Sequence, residues 1–542
     1  MPENTPLNRP YVPRNRRRIL CLFPKYVPSF GTFHHAYSLM PGVRAFMPPQ
    51  GILTIAAYLP EEWEVRFVDE NIALAKAADY HRADVVMTSG MHVQRCEIQR
   101  LNELAHGAGK LTVLGGPSVS ACPEYYPDFD ILHVGELGDA TDQLVRYIDD
   151  GCERPDKQIR FTTEQRLPLT EFPSPVSPLQ SLRPYLLASI QYSSGCPFTC
   201  EFCDIPELYG RNPRLKSPAQ ILHELDAIMD RSPQGAVYFV DDNFVGNRKA
   251  AMELLPHLVN WQKQHGYPLE FACEATLNIA GAPKLLELMR EAAFYTMFCG
   301  IETPNPEALK KISKSHNLTK PILDAIKILN SYGIEVVAGI IMGLDTDTAD
   351  TDQRILEFIR QSQIPMFTIN LLEALPRTPL WRRLQEEGRI VAGGDDRQSN
   401  VKFLLPYQQV LGMWYRCVRE TYDPDFLYER FCYNVEHTFK NRLELPVTSA
   451  RLNLRNVYLA LQILTRLVIR VGVLSDYRKT FWRMAIPALK KGDIESLIHV
   501  GLVSHHLIKF TRDALRGEQG AAFYSERLAS ASESAGDTVL ER

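Results

Sequence analysis

The sequence predicts an α/β protein with two parallel-sheet domains in series and a helical region after them. Short apolar runs alternate with amphipathic helical stretches over residues 18–150 and again over residues 186–400, a pattern typical of parallel strands with helices between them. Beyond about residue 400 the apolar spacing is helical. At 542 residues the chain is too long for one ordinary core, which also favours several domains.

Residues 1–150 are predicted to form a doubly wound, Rossmann-like domain. Its strand candidates are the apolar runs RILCLF, WEVRFVD, ADVVMTSG, LTVLGGP and FDILHVG. Glycine-rich turns follow these strands at the carboxyl edge, where open sheets bind ligands and where glycine lets the backbone approach a large ligand. No G-x-G-x-x-G pattern opens the first helix, which argues against a dinucleotide. The candidate ligand contacts in these turns are Gly115, Gly116, Gly135, Glu136 and Gly138.

The rest of the chain is predicted to be a linker, a barrel, a helical domain and a tail. Repeated prolines in residues 151–185 favour an extended linker. Six apolar runs with helices between them over residues 186–400 predict an incomplete parallel (β/α)6 barrel, with its chemistry at the carboxyl ends of the strands. Helices are expected over residues 401–518. The small, polar residues 519–542 are expected to be a disordered tail.

Composition and charge narrow the class of function. The net charge of -4 gives no global attraction to nucleic acid, so no such partner is expected. No apolar run ending in a cleavage site begins the chain, and about 18 consecutive apolar residues occur nowhere. We therefore expect a cytoplasmic protein without a membrane-spanning helix. The basic and apolar helices near the end could contact a membrane surface or cover an apolar substrate, although a helical cap packed on the barrel is the favoured interpretation.

The eleven cysteines favour reduced thiols and metal ligation over a disulfide framework, because no secretory signal is evident. Three of them, Cys196, Cys200 and Cys203, lie close together in GCPFTCEFC. The others are interpreted as small buried apolar residues. They are Cys21, Cys96, Cys122, Cys152, Cys273, Cys299, Cys417 and Cys432.

The C-x3-C-x2-C spacing of the three close cysteines indicates an open metal site. It is tighter than the usual paired spacing of zinc sites and one ligand short of a closed tetrahedron. Thiolates bind iron and sulfide as well as zinc, and a four-iron cluster held by only three cysteines leaves one iron open to a substrate or cofactor. Three core cysteines, or a zinc site with a remote fourth ligand, are the alternatives.

The stretch CPFTCEFC resembles the signature loop of the radical S-adenosylmethionine superfamily, including the aromatic Phe202 before the third cysteine. The resemblance implies that Cys196, Cys200 and Cys203 hold a [4Fe-4S] cluster whose open iron binds S-adenosylmethionine. One electron from the cluster would then release a 5'-deoxyadenosyl radical, which can attack an unactivated C–H bond that offers no acidic proton. The resemblance also implies an external reductant such as flavodoxin or ferredoxin.

Residues at the ends of the barrel strands resemble the same superfamily, in the right order. The turn FVDDNF is implied to contact the amino group of S-adenosylmethionine, CEATL its ribose and GIIMG its adenine, while GIETP ends the fourth strand. Each motif alone is weak, because an acidic residue at a strand end is more often a helix cap or a solvated loop residue. The implied cofactor-binding residues are Phe202, Asp241, Asp242, Asn243, Glu274, Glu302, Gly339 and Gly343.

The first domain resembles the cobalamin-binding domain of class B radical S-adenosylmethionine methylases. Many cobalamin proteins ligate cobalt through the histidine of a D-x-H-x-x-G motif, and this chain has none in the expected loop. Asp79 and His81 match the start of that motif by chance, and the spacing of His34 and His35 does not fit it. The departure implies a cobalt without a histidine lower ligand, which suits methyl transfer to a carbon radical.

Within that family the run FPKYVPSFGTFHHAYSLMPGVRAFMPPQG most resembles the branch that methylates hopanoids. This implies a C-methyltransferase that acts on C-2 of hopanoid ring A, with methylcobalamin as the methyl donor and an apolar small molecule as the substrate. A related methylase of another apolar scaffold, such as a bacteriochlorophyll side chain or an isoprenoid, is the first alternative. An electron-transfer iron-sulfur protein and a zinc-stabilised binding module are the alternatives from other classes.

Overall fold

The computed structural model describes residues 11–231, 235–391, 399–445 and 454–516, so the predicted tail lies outside the described residues. The chain divides into two compact units, each discontinuous in sequence. Unit 1 comprises residues 1–27, 47–196 and 204–232. Unit 2 comprises residues 28–46, 197–203 and 233–542.

A six-stranded parallel sheet forms the centre of unit 1. Its strands are β1 (Arg18–Phe23), β2 (Glu64–Asp69), β3 (Val85–Ser89), β4 (Leu111–Gly115), β5 (Ile131–Val134) and β6 (Ile159–Thr162). Their spatial order is β2-β1-β3-β4-β5-β6, which reverses direction at β1 as in a doubly wound fold. The doubly wound prediction is confirmed. The sequence analysis missed β6, which lies within the segment 151–185.

Helices lie between these strands and after them. They are α1 (His34–Tyr37), α2 (Gln50–Tyr58), α3 (Ala77–Arg82), α4 (Arg95–Gly107), α5 (Pro117–Ala121), α6 (Asp139–Asp150), α7 (Ile205–Leu208) and α8 (Pro218–Arg231), of which α1 belongs to unit 2. Leu101 of α4 packs with Leu20 and Val86 of the sheet. Ile98, also on α4, packs with Leu114.

Unit 2 contains most of a parallel barrel. Three short strands precede it, β7 (Ala188–Ile190), β8 (Ser193–Ser194) and β9 (Arg214–Leu215), of which β8 and β9 pair in antiparallel fashion. The strands within unit 2 are β10 (Ala236–Phe239), β11 (Glu270–Glu274), β12 (Phe294–Glu302), β13 (Glu335–Met342) and β14 (Met366–Leu371). They are parallel, and their order in space follows their order in the chain, as in a β/α barrel. The second sheet has six strands in all, so the partial-barrel prediction is confirmed.

Barrel strands alternate between buried residues and partly exposed ones. The pattern is clearest in β10, β11 and β14, where every second residue is buried. Side chains of a strand point to opposite faces in turn, so one face of this sheet is closed by packing and the other is accessible. The helices between the strands are α9 (Arg248–His265), α10 (Pro283–Glu291), α11 (Pro306–Lys311), α12 (Ile322–Ser331) and α13 (Thr351–Ser362), and α14 (Pro379–Glu386) follows the last strand.

Five helices follow the barrel: α15 (Tyr407–Thr421), α16 (Pro424–His437), α17 (Leu454–Leu467), α18 (Arg478–Lys491) and α19 (Ile494–Leu515). The first of them packs on the last strand, since the indole of the buried Trp414 donates to the Ile369 carbonyl at 2.7 Å. The guanidinium of the fully buried Arg430 donates to the Ile364 carbonyl at 2.7 Å. A helical cap packed on the barrel was the favoured prediction, and these contacts confirm it.

One stretch after the barrel is long and apolar enough to cross a membrane by length and composition. It is Leu454–Val473, which is α17 continued by a turn of π-helix, with a mean hydropathy of 1.4. The sequence expectation rested on uninterrupted apolar residues, and arginine and glutamine interrupt this run.

Candidate active site

The three close cysteines lie in a loop between β8 and α7. Cys200 is buried, whereas Cys196 and Cys203 are half-buried. The backbone N–H of Cys203 donates to the Cys200 carbonyl at 3.1 Å, and the N–H of Cys196 donates to the Gly210 carbonyl at 3.2 Å. Backbone hydrogen bonds therefore shape the loop itself. The loop thus carries the three thiols that the spacing predicts as metal ligands.

An ion-pair network within unit 2 fixes this loop further. The Arg383 guanidinium bonds the Glu201 carboxylate at 2.5 Å and the Asp345 carboxylate at 2.8 Å. The backbone N–H of Leu380 donates to the Glu201 carbonyl at 2.9 Å. Glu201, Phe202, Asp345 and Arg383 also line a small open cleft. The sequence analysis missed this network, because its members are far apart in the chain.

A buried ion pair places an ammonium group near the three thiols. The Lys314 ammonium bonds the Glu302 carboxylate at 2.5 Å, and both side chains are less than a tenth exposed. It also lies 5.5 Å from the centre of the Phe202 ring. Burial alone would lower the pKa of Lys314, but Glu302 and, to a smaller degree, Cys200 and Cys203 raise it. Lys314 is therefore a cation at neutral pH, and it favours negative charge on the thiols.

Glu302 itself occupies an unusual backbone conformation at the end of β12. Its φ is 67°, in the left-handed region that residues other than glycine rarely adopt. The bond to Lys314 holds its carboxylate in place. The sequence predicted Glu302 at this strand end. It gave no signal for Lys314, because the chain passes through α11 before Lys314 returns to Glu302.

Glu274 ends β11, as predicted, and carries an unusual pKa. Burial and the nearby Asp242 carboxylate raise its pKa to about 7, although the hydrogen bond that Tyr238 donates at 3.4 Å opposes the shift. Asp241, Asp242 and Asn243 follow β10, and Asp241 is fully buried. The structure thus brings two of the predicted strand-end groups within electrostatic reach of each other.

The two predicted glycines of the GIIMG motif lie on and just after β13. A Cβ on Gly339 would come 3.3 Å from the ring of Phe298. Gly343 has a φ of 94°, and a Cβ there would meet the Phe403 ring at 2.5 Å. The backbone N–H of Gly343 donates to the Asp347 carboxylate at 2.7 Å. Internal packing therefore accounts for glycine at position 343.

The accessible face of the barrel sheet fits a polar ligand. Tyr238, Glu274, Thr368 and Asn370 lie on it and are only partly buried. The Oδ1 atom of Asn370 is buried yet has no hydrogen-bond partner among the residues that the structure describes. A bound molecule with hydroxyl or amino donors would satisfy such an atom. Together with the three thiols, this face suits a cluster and a polar cofactor.

The predicted glycine turns of unit 1 lie at the carboxyl edge of its sheet. A Cβ on Gly115 would meet only His133, at 3.9 Å, so space is open there. The buried Nε2 atom of His92, just beyond β3, has no hydrogen-bond partner in the described part of the chain. Open space and an unsatisfied imidazole at this edge suit a large ligand.

Other residues of these turns are explained within unit 1. Gly116 has a φ of 97°, and a Cβ there would clash with Ser89 at 2.4 Å. Gly135 has a φ of 107°. The Glu136 carboxylate pairs with Arg214 and, at 3.3 Å, with Arg166. These contacts neither require a ligand nor exclude one, and the predicted cofactor contacts of these residues stay predictions.

Most of the isolated cysteines are buried or partly buried, as the sequence interpretation expected. Cys21, Cys122, Cys273, Cys299 and Cys417 are buried, and Cys152 and Cys432 are partly so. Burial raises the pKa of Cys21 to about 12. Cys96 was wrongly interpreted as a core residue: it is exposed, because it lies on the outer face of α4 while Ile98 and Leu101 form the inner one.

Comparison with known proteins identifies the domains. Residues 190–359 match the model of the radical SAM superfamily, residues 42–145 match a B12 binding domain, and residues 378–520 match a domain of unknown function, DUF4070. The hopanoid C-2 methylase of Rhodopseudomonas palustris is 57% identical over 94% of this chain and 97% of its own length. The chain belongs to the hopanoid C-2 methylase family.

Solved structures show the same fold. OxsB, a cobalamin-dependent S-adenosylmethionine radical enzyme, has a TM-score of 0.59 at 14% identity and covers 96% of this chain and 81% of its own. The radical S-adenosylmethionine methyltransferase TsrM from Kitasatospora setae, with cobalamin and a [4Fe-4S] cluster bound, has a TM-score of 0.54 at 16% identity over 70% of this chain and 80% of its own. A member of this family is a radical S-adenosylmethionine methyltransferase with cobalamin, a [4Fe-4S] cluster and S-adenosylmethionine as cofactors, as predicted.

Proposed function

We propose that this chain methylates C-2 of ring A of a hopanoid. The observation that carries the proposal is the identity of 57% to a hopanoid C-2 methylase, which extends over both α/β units and the helical region alike. Substrate choice depends on regions outside the cofactor motifs, so similarity over the whole length favours a hopanoid over a bacteriochlorophyll side chain or another isoprenoid. Together the bound cofactors supply an electron, a carbon-centred radical and a methyl group.

The chain's own residues bind and orient these groups. Cys196, Cys200 and Cys203 are the cluster ligands in this proposal, and the Lys314 ammonium balances part of their negative charge. Glu274 accepts hydrogen bonds from the ribose of S-adenosylmethionine, while Asp241 and Asp242 attract its amino group. The turns after β3, β4 and β5 bind cobalamin.

The test is anaerobic reconstitution with iron, sulfide and cobalamin, followed by incubation with a reductant, S-adenosylmethionine and diploptene. We expect a hopanoid heavier by one methyl group, together with 5'-deoxyadenosine and S-adenosylhomocysteine. Both coproducts without a methylated hopanoid would reject the substrate but keep the reaction class. Absence of both coproducts from a sample with a full cluster would reject the reaction class.

The electron donor belongs to the proposal as well. Radical S-adenosylmethionine enzymes need a reductant, and the chain offers no second cysteine cluster among its eleven cysteines that would hold an internal one. We therefore propose an external low-potential protein such as flavodoxin or ferredoxin. Reduced flavodoxin or ferredoxin should each replace a chemical reductant in the assay, and failure of both would contradict this point.

We also propose that the protein works in the cytoplasm at a membrane surface, with α17 lying on the lipid. Leu454, Tyr458 and Leu461 form an exposed apolar stripe at α-helical spacing on α17, and Ile469 in the π-helical turn after it is exposed as well. The opposite side, which includes Leu467, is buried against the protein. A helix that crossed the bilayer would lose the packing of its buried side against the protein. The exposed stripe therefore suits a helix that lies in the membrane–water interface.

Basic residues complete the surface and allow a test. Arg455 and Arg470 are exposed on the same helix and suit anionic headgroups. Flotation with phosphatidylglycerol vesicles should recover the protein, and Leu461→Asp should weaken binding about tenfold, because burial of one leucine contributes about 1.5–3 kcal/mol. The matched control is Leu104→Asp, which changes an equally exposed leucine on α4. No flotation, or dimerisation through this face without flotation, would reject the proposal.

A further inference from the structure

A histidine cluster outside the cofactor sites brings both ends of unit 2 together. His34 and His35, on the short helix α1, lie beside Asp513 near the end of α19. Each of the three offers one ligand atom, and these atoms all lie within 4.8 Å of one another. The Nε2 atom of His35 is 2.6 Å from the Asp513 carboxylate. The ring centres of His34 and His35 are 4.2 Å apart.

A fourth imidazole adjoins the cluster without a complete set of partners. His506 of α19 is fully buried, and its ring centre lies 5.2 Å from that of His34 and 5.9 Å from that of His35. Its Nε2–H donates to the Phe30 carbonyl at 3.1 Å, which leaves Nδ1 as an acceptor. This Nδ1 atom has no partner among the described residues. A buried acceptor without a donor is costly unless a water or ligand supplies one.

We propose that His34, His35 and Asp513 bind a divalent metal ion, Zn²⁺, with water in the remaining position. Two imidazoles and one carboxylate are a common three-residue set for zinc with an open fourth site. When the ion binds Nε2 of His35, the proton of the neutral imidazole moves to Nδ1, and the ion bonds to Nε2 and to the Asp513 carboxylate in place of the hydrogen bond between them. Nδ1 of His506, whose ring centre lies 5.2 Å from that of His34, is the acceptor that we infer for the metal-bound water.

The surroundings orient one of the histidine ligands. The Thr32 hydroxyl lies 3.4 Å from His34 Nδ1 and helps to orient that ring, which leaves Nε2 of His34 for a metal. His34 and Asp513 are 479 positions apart in the sequence, so the ion would close a very long loop. We infer a structural metal that secures residues 28–46 to α19.

Metal analysis of the full chain tests this directly. After reconstitution of the cluster and incubation with Zn²⁺, about one zinc per chain should survive desalting. It should also survive in a variant in which Cys196, Cys200 and Cys203 are all alanine, which excludes zinc bound by the thiols. Zinc X-ray absorption should show nitrogen and oxygen ligands and no sulfur. Absence of bound zinc, or zinc that disappears with the three thiols, would overturn the proposal.

Variants then identify the ligands. Asp513→Asn and His35→Gln should each weaken zinc binding about 100-fold, and His506→Phe about tenfold, since it changes only the partner of the bound water. Asp476→Asn is the matched control: Asp476 pairs with Arg512, next to Asp513, and should keep its zinc. Zinc should raise the melting temperature of the unmodified chain but not of Asp513→Asn. Equal zinc affinity in Asp513→Asn and Asp476→Asn would contradict the assignment.

Discussion

At the scale of single residues, we predict that the protonation of Glu274 affects both stability and the proposed binding of S-adenosylmethionine. Its pKa of about 7 in the folded protein exceeds the ordinary 4.5, so the folded state holds a proton that the unfolded state releases. The contribution of Glu274 to the free energy of unfolding therefore falls as pH rises from about 4.5 to about 7, and stays level above that. Glu274→Gln cannot ionise, so we predict that it removes this part of the slope, measured by urea unfolding at several pH values.

The control for this prediction is Glu253→Gln, at an exposed position of α9, which should leave the slope unchanged. An unaltered slope in Glu274→Gln would contradict the argument. In the proposed site the same proton would compete with the ribose, because only the ionised carboxylate accepts two hydrogen bonds. S-adenosylmethionine affinity of the unmodified chain should therefore rise as pH approaches 7.

Lys314 and Glu302 illustrate how much a buried ion pair depends on both partners. Removing the cation leaves the Glu302 carboxylate buried without a countercharge, which typically costs about 3–5 kcal/mol. We predict that Lys314→Met lowers the free energy of unfolding by about that amount and weakens cluster retention. Lys310→Met is the control: Lys310 pairs with Glu307 on the exposed side of α11, where a pair is worth less than about 1 kcal/mol. Equal effects of the two substitutions would refute the prediction.

Among the elements, the turn after β13 combines a left-handed backbone conformation with tight packing. Gly343 has a φ of 94°, and its missing Cβ leaves room for Phe403. Gly343→Ala should therefore destabilise the protein by more than the roughly 1 kcal/mol expected from φ alone. Gly388→Ala separates the two contributions, because Gly388 also has a positive φ, 65°, but no atom lies within 4 Å of its Cβ position. Thermal unfolding of both variants would measure the difference, and equal losses would show that Phe403 moves aside.

Elements with a strong local signal could be predicted from the sequence. RILCLF and EVVAGIIMGL contain β1 and β13 because a buried parallel strand needs an almost continuous apolar run. The strand β6, IRFT, is short and half polar, so its apolar signal is weak. The prolines around it therefore led to its interpretation as part of a linker. The exposure of Cys96 likewise follows from the orientation of α4, which the sequence suggests only through its neighbours.

Contacts between residues that are separated in the sequence could not be predicted from local sequence patterns. The bond from Lys314 to Glu302 forms only because a loop returns over the end of β12. His34 and His35 were noticed only as poor matches to a cobalt-ligand motif, since nothing in their sequence points to Asp513. The thiol loop was the exception. All three of its cysteines lie in one short stretch, so their spacing alone predicted an open metal site.

At the scale of the whole molecule, the proposed sites divide the cofactors between two α/β sheets, and this division can be tested with one substitution. The thiol loop stands at the start of the radical SAM match, whereas the B12 binding match ends at residue 145. We predict that Cys203→Ala loses the cluster, because two thiols cannot hold four irons, and with it all cleavage of S-adenosylmethionine. Iron analysis and assay of 5'-deoxyadenosine would measure these losses.

Cobalamin binding by the same variant decides whether the two sites are separable. The turns after β3, β4 and β5 belong to unit 1 and contain none of the three cysteines, so Cys203→Ala should bind cobalamin as well as the unmodified chain does. Cys96→Ala, which changes an exposed cysteine of unit 1, should keep both cofactors and serves as the control. If Cys203→Ala lost cobalamin while its circular dichroism stayed native, cobalamin binding would depend on the loaded cluster, and the proposed division would be wrong.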